Sequence, residues 1–376
     1  MAGGLLFVAI ALQFWLVTPI LESDGSYEHY GYVRWLAAHH SLPVARPPVY
    51  PHDPAKEHQI ESYGIEGGQA PLYYLLAALM TAPIPGHDNV DQVAIFNPAA
   101  GTGFDGVNQN DYMHRPFSGF PTGAELALRL IGLLGIVCGA ITAISAVLLA
   151  RLYVPKWPAV WLAAPAAIAA NTAFDYHAPA VSNDALVTAL ASVSVLAMAC
   201  WLKRPGSRWS WISGLLIAPA VLAKFNAIGL AACYLYCAWV TGDSIRRRAL
   251  ALAPLAVTVG LIDGWWFVRN VVLYGDPTAL SPLNHGSVRG AINAGRLRAF
   301  LQPFGRSLHT FLSGWGSYGN IDSQAVFGIT AVLAVVGLIA GLTLGVARRH
   351  EPLAGLLILW PALLVLELAY YSYASA

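Results

Sequence analysis

The residues most able to do chemistry stand just after the first apolar segment. The run Pro19 to Ala38, PILESDGSYEHYGYVRWLAA, presents Glu22, Asp24, Glu28 and His29 in quick succession. Carboxylates where an apolar helix meets water are costly unless they are put to use. Asp24 or Glu28 is therefore expected to be a catalytic carboxylate on the outer face of a membrane enzyme. Asp24 is favoured, because Gly25 lets the backbone turn sharply and present it. Glu28 lies one helical turn further on, and both acids face one cavity if a helix starts near Ser26. Glu22, closer to the apolar segment, is the weaker candidate.

A second set falls at the predicted outer ends of later apolar segments: Asp175 and His177, Asn183 and Asp184, Lys224 and Asn226, Asp263, and Arg269 with Asn270. Buried at bilayer depth each would be expensive; near the outer surface they can join the first-loop carboxylates in one polar cavity. Lys224 and Arg269 lie on the same predicted side as Asp24, which is more telling than any one of these groups. A bland reading stands beside this one: Asn183 and Asp184 open a helix, where such residues are expected as caps whatever the function. No spacing demands a metal. An oxygen-rich site would suit Mg²⁺ or Mn²⁺, so the cofactor stays open. Cys138, Cys200, Cys233 and Cys237 all lie in apolar runs without His or acid beside them and read as small core residues.

The elements that must position these groups are membrane helices. Of 376 residues 57% are hydrophobic and 11% charged, with net charge +1 and mean hydropathy +0.55. A soluble domain carries about 25% charged residues, and a near-neutral balance excludes a nucleic-acid footprint. Apolar runs at 3–20, 125–150, 183–202, 247–268, 325–347 and 352–371 are long enough to span. Shorter runs occupy 157–170, 209–223 and 227–240. The first run lacks a basic start and reads as a retained helix rather than a signal peptide. A tight hairpin at Lys224-Phe225-Asn226 keeps the basic clusters Lys203, Arg204, Arg208 and Arg246, Arg247, Arg248 on one side, as the positive-inside rule requires. Its two arms are short for a full bilayer. The expectation is an all-α polytopic membrane protein in a single domain, 1–376, with about nine spans (about 8–11) and the N-terminus inside. Two long loops, 21–122 and 270–324, then face outward. The runs 27–38 and 69–81 are expected as helices at the membrane interface.

The same stretches carry a resemblance. PILESDGSYEHYGYVRWLA resembles the first outer loop of glycosyltransferases of the C-fold, and EGGQAPLYYLLAAL is similar to their Gln-Pro-Pro-Leu-Tyr-Tyr segment, with Ala70 in place of the first proline. NQNDYMHRPFSGFPTGAELALRL, AVSNDALVTAL, GWWFVRNVVLYGDP and FLSGWGSYGN follow in the family's order. The resemblance is to the family 39 type, which includes protein O-mannosyltransferases and aminoarabinose transferases. The sequence departs from that pattern in spacing its first-loop acids instead of placing an Asp-Glu pair together. It also stops soon after its ninth predicted span, as a short member or a fragment would.

The resemblance implies an inverting transferase that moves a sugar from a polyprenyl-phosphate donor to a glycan, lipid or protein acceptor. The site would face outward from the inner (cytoplasmic) membrane. Asp24 or Glu28 would be the base, and Lys224, Arg269, Asp184, His29, Gln69, Tyr73 and Asn270 would line the substrates. The rivals are a transporter or flippase, which needs a polar path at the midplane, and a non-catalytic envelope-assembly subunit.

Overall fold

The computed structural model describes residues 2–23, 25–45, 63–97, 112–114, 119–279 and 351–374. Asp24, the 325–347 run and most of the 270–324 loop lie outside them. The chain is mostly helical. Among the described residues α1 is Ala2–Val17, α2 Ser26–His39 and α3 Leu72–Thr81. Then come α4 Gly123–Tyr153, α5 Pro158–Ala169, α6 Thr172–His177 and α7 Asp184–Lys203. The series ends with α8 Ser207–Ala223, α9 Gly229–Thr241, α10 Ile245–Ile262, α11 Gly264–Tyr274 and α12 Pro352–Ala374. The first loop also holds a short antiparallel ribbon, β1 Ala94–Phe96 against β2 Tyr112–His114, with Ile95 opposite Met113.

Two helices, α4 and α7, are each long and apolar enough to cross a membrane. A third candidate, the predicted run 247–268, is broken: α10 and α11 meet at 53°, where Asp263 is followed by Gly264. α1, α3, α5, α8, α9 and α12 contain shorter apolar stretches.

α7 is the central element. It packs on α4 and α8, and also on α9 and α12, while α1 and α5 pack on α4 from the other side. Close packing depends on three glycines of α4. A Cβ on Gly135 would stand 1.9 Å from the Ala178 carbonyl oxygen, one on Gly139 would stand 2.1 Å from the Phe7 ring, and one on Gly132 would stand 2.8 Å from the Pro179 carbonyl. The segment after α6 and the helix α1 therefore lie directly on α4 backbone, as small-residue faces allow in membrane bundles.

Hydroxyls inside the bundle are absorbed by their own helices. Thr142, Ser145, Ser194 and Ser213 each donate to the carbonyl four residues earlier, which removes the cost of an unpaired donor.

The two helices expected at the interface differ. α3 exposes Leu75, Leu76, Leu79 and Met80 and buries Tyr73, Tyr74 and Ala77, as an interfacial helix should. α2 is buried over most of its surface, including Tyr30, Tyr32, Val33 and Leu36. The 84–92 segment covers it: Tyr30 Oη donates to the His87 carbonyl at 2.6 Å.

Candidate active site

The hairpin between α8 and α9 sets the first half of the site. Lys224 is extended (φ −157°, ψ 130°) between α8 and a short 3₁₀ turn, Phe225–Ile228. Asn183, at the start of α7, was expected to cap that helix; its side chain does not. It reaches sideways instead. Its Nδ2 donates to the Ala223 carbonyl at 3.1 Å and to Gln69 Oε1 at 3.1 Å. A buried amide gains more by joining three segments than by repeating a bond that Ser182 already makes: Ser182 Oγ accepts from the Asp184 amide at 3.3 Å. Because Ala223 directly precedes Lys224, that bond sets the lysine beside Asp184, and Lys224 Nζ donates to Asp184 Oδ1 at 2.5 Å.

This ion pair is open. The Asp184 side chain is 55% exposed and that of Lys224 27%, yet the residues around them are buried. Asn183 is fully buried, Tyr73 2% exposed and His29 7% exposed. The pair is thus open to solvent while the groups beside it are packed away. His29 and His177 are close enough to act electrostatically on Asp184. The Tyr73 hydroxyl is buried beside Ser182 and Asp184 and makes no well-formed hydrogen bond.

The second half is α2 against α3. His29 Nδ1 lies 2.7 Å from Tyr74 Oη and 3.4 Å from Glu66 Oε2, and Tyr74 Oη donates to Glu66 Oε2 at 3.4 Å. Burial pushes the Tyr74 hydroxyl well above its ordinary range, so it remains a proton donor at physiological pH. Tyr32 stacks on Tyr74 at 3.9 Å between ring centroids. With Nδ1 held, the His29 ring has a fixed orientation, and its Nε2 has no hydrogen-bond partner among the described residues. Gly25 adopts φ +69° at the start of α2, a backbone conformation that glycine takes without strain.

The structure thus brings together His29, Gln69, Tyr73, Asp184 and Lys224. It does not bring Arg269 and Asn270 into the same contact set. Arg269 lies over the Trp266 ring at 5.0 Å and donates through Nη2 to the Pro43 carbonyl at 2.5 Å. It acts on Tyr32, on the far side of the Tyr32–Tyr74 stack from His29, and its Nη1 is buried without a partner. Asn270 Nδ2 donates to the Pro277 carbonyl at 3.0 Å and closes the turn after α11. Glu28 is half-buried on the first turn of α2, one residue before His29. Glu22 accepts from the Tyr112 amide at 3.1 Å and fastens the ribbon to the loop. Glu66 and Tyr74 are functional candidates that sequence reasoning missed.

A groove runs along α7, beginning about one turn beyond Asp184. Val187, Thr188, Ala191 and Ser192 form one wall, Trp360 and Leu364 of α12 the other, and Asn226 with Ala227 the end, around about 450 Å³ of empty space. Asp184, Thr188 and Ser192 recur every four residues and so share a face of α7. A separate, shallow cleft lies between the end of α1, Arg129 of α4 and the segment after α6. Among the described residues no group of three or more His, Cys, Asp or Glu side chains converges in a way that would hold a metal.

No known protein-family profile matches this chain, and no curated protein matches it either.

Proposed function

We propose that the protein is a membrane glycosyltransferase of the C-fold, moving a sugar from a polyprenyl-phosphate donor to a glycan, lipid or protein acceptor with inversion. It would have about nine spans, with its site on the outer face of the inner membrane. One observation carries the proposal: an open Asp184–Lys224 pair has buried aromatic and histidine side chains beside it, and a groove between α7 and α12 begins about one turn further along α7. A lipid-linked sugar needs both features side by side.

The roles follow from charge and place. The polyprenyl chain lies in the groove against Trp360 and Leu364. Lys224 meets the phosphate, and Asp184 holds the lysine until the phosphate arrives. The acceptor hydroxyl attacks the anomeric carbon as the bond from that carbon to the phosphate oxygen breaks. The bonding pair leaves with polyprenyl phosphate, and the hydroxyl proton passes to a first-loop carboxylate, Asp24 or Glu28. His29, fixed by Tyr74 and Glu66, orients the sugar or the acceptor from α2. The cleft beside Arg129, at the end of α1, gives the acceptor an approach.

A transporter would need polar groups along the midplane. Among the described residues Thr142, Ser145, Ser194 and Ser213 are bonded to their own helices, while the buried carboxylates of Asp175 and Asp263 carry no hydrogen bond, so experiment separates the two readings. The test is direct. Purified protein is given a panel of undecaprenyl-phosphate hexoses and pentoses with a cell-envelope extract as acceptor, and released undecaprenyl phosphate is measured by mass spectrometry. Release that is lost in Lys224→Met supports the proposal. No release from any donor, together with uptake of lipid-linked sugar across reconstituted vesicles, sinks it.

A further inference from the structure

The opposite end of the same helices carries a second site. α8 and α10 run side by side, with Thr258 Oγ1 donating to the Gly214 carbonyl at 2.9 Å. The hydroxyl of Tyr234 of α9, fully buried, donates to the Ala251 carbonyl of α10 at 2.8 Å and lies 3.2 Å from the Ser210 carbonyl of α8. One hydroxyl within reach of both carbonyls pins the second turn of α10 to the first turn of α8. The Tyr234 ring also packs on Trp201, in the last turn of α7, at 5.0 Å. Three basic ends therefore come to one end of the bundle: Lys203 and Arg204 at the end of α7, Arg208 on α8, and Arg246 to Arg248 on α10.

Only part of this charge is neutralised. Lys203 pairs with Glu351 and Arg247 with Asp243. Arg204, Arg208 and Arg246 are exposed and have no acidic partner among the described residues. Arg208 lies over Trp209 at 5.2 Å and Arg248 over Trp239 at 3.8 Å. Trp211 and Trp239 are themselves 47% and 65% exposed. Exposed tryptophan marks the level where headgroups begin, and arginine clusters at that level attract anionic lipid.

We propose that the α7–α8–α10 junction is a seat for the phosphate headgroup of an anionic membrane lipid. Arg204, Arg208 and Arg246 contact the phosphate, the exposed tryptophans lie against the glycerol and upper acyl region, and Tyr234 holds the three ends at the required separation. Arg151, which lies over Trp161 at 5.2 Å on the end of α4, is a comparable arginine outside the junction. The site does not depend on the transfer reaction proposed above.

The test is native mass spectrometry of the intact protein with phosphatidylglycerol and phosphatidylcholine in competition. Retention of phosphatidylglycerol should fall on the order of fivefold for each of Arg204→Gln, Arg208→Gln and Arg246→Gln, and stay unchanged in Arg151→Gln. Tyr234→Phe should weaken the preference with every charge in place. Equal loss in Arg151→Gln and Arg208→Gln, or no preference between the two lipids in the wild type, overturns the proposal. So does thermal stabilisation by inorganic phosphate that equals the effect of phosphatidylglycerol vesicles, because the seat would then recognise a free anion and not a lipid surface.

Discussion

The two ends of α7 use the same pair of groups to different effect. At one end Asp184 meets Lys224; at the other Lys203 meets Glu351. Around Asp184 the neighbours are buried and cross-linked: Asn183 joins α7 to Gln69 and Ala223, and His29 is locked by Tyr74 and Glu66. Around Lys203 they are exposed arginines held in common only through Tyr234 below them. A salt bridge is therefore no guide to function by itself. Rigid surroundings turn the first into a site with a fixed geometry, whereas the second belongs to a charged rim. Four predictions press on that difference.

The largest effect is expected at Gly135, the α4 position beneath the segment that leads into Asp184. A Cβ there would overlap the Ala178 carbonyl oxygen at 1.9 Å, and backbone cannot swing aside as a side chain can. Gly135→Ala should cost about 3 kcal/mol and sharply reduce monodisperse protein on size-exclusion chromatography. Gly214→Ala, on the α8–α10 contact near the basic end, meets its nearest backbone at 3.0 Å and should lose less. Equal losses would show that the two ends are equally tightly built.

Next is Lys224→Met. The pair is partly exposed, so its removal should leave the melting temperature nearly unchanged, while release of polyprenyl phosphate drops about 10²-fold, equivalent to about 2.7 kcal/mol of barrier. Lys224→Arg should recover part of the rate, because the charge returns with a different reach. Full activity in Lys224→Met would remove the lysine from phosphate binding.

How much of this was legible beforehand depends on whether a contact is local. The helical, apolar character was legible in composition, but of the runs read as long enough to span only those of α4 and α7 are so as unbroken helices among the described residues; the turn at Lys224 followed from the two flanking basic clusters. The break at Asp263 did not, because an apolar run gives no sign of its own bend. Asp184 and Lys224 were both singled out, but their pairing spans 40 residues and is set by the bond from Asn183 to Ala223. That bond gives no local signal, since Asn before an apolar helix reads as a cap. Glu66 and Tyr74 were missed for the same reason: each acquires a role only when α3 packs on α2. The fourfold recurrence of Asp184, Thr188 and Ser192 was available in DALVTALAS, and it went unused because the alanines between them hide the polar face.

A smaller effect is expected at Tyr74. Phenylalanine preserves the stack on Tyr32 and the shape of the core but leaves His29 Nδ1 facing only Glu66. A buried group that loses its hydrogen-bond partner costs about 1–3 kcal/mol. Tyr74→Phe should therefore lower the unfolding midpoint, and it should lower transfer by changing the ring orientation of His29. His29→Gln in the Tyr74→Phe background should add little further, since the two act as one unit. Additive losses in the double variant would separate them and leave His29 without a positioning partner.

The smallest effect is expected at Lys203→Met. Its side chain and that of Glu351 are 34% and 30% exposed, and pairs of this kind contribute about 0–1 kcal/mol once solvent screening and side-chain entropy are counted. The loss should shrink further as salt is raised, because exposed charges are screened within about 10 Å at moderate ionic strength. Glu351→Gln should give a similar small loss, and the double variant no more than either single one. Transfer should be unaffected in all three, since a helix of 20 residues separates Lys203 from Asp184 by about 30 Å. Loss of transfer in Lys203→Met to the level of Lys224→Met would mean that the two ends of α7 act together. The distinction between a rigid site at one end and a charged rim at the other would then fail.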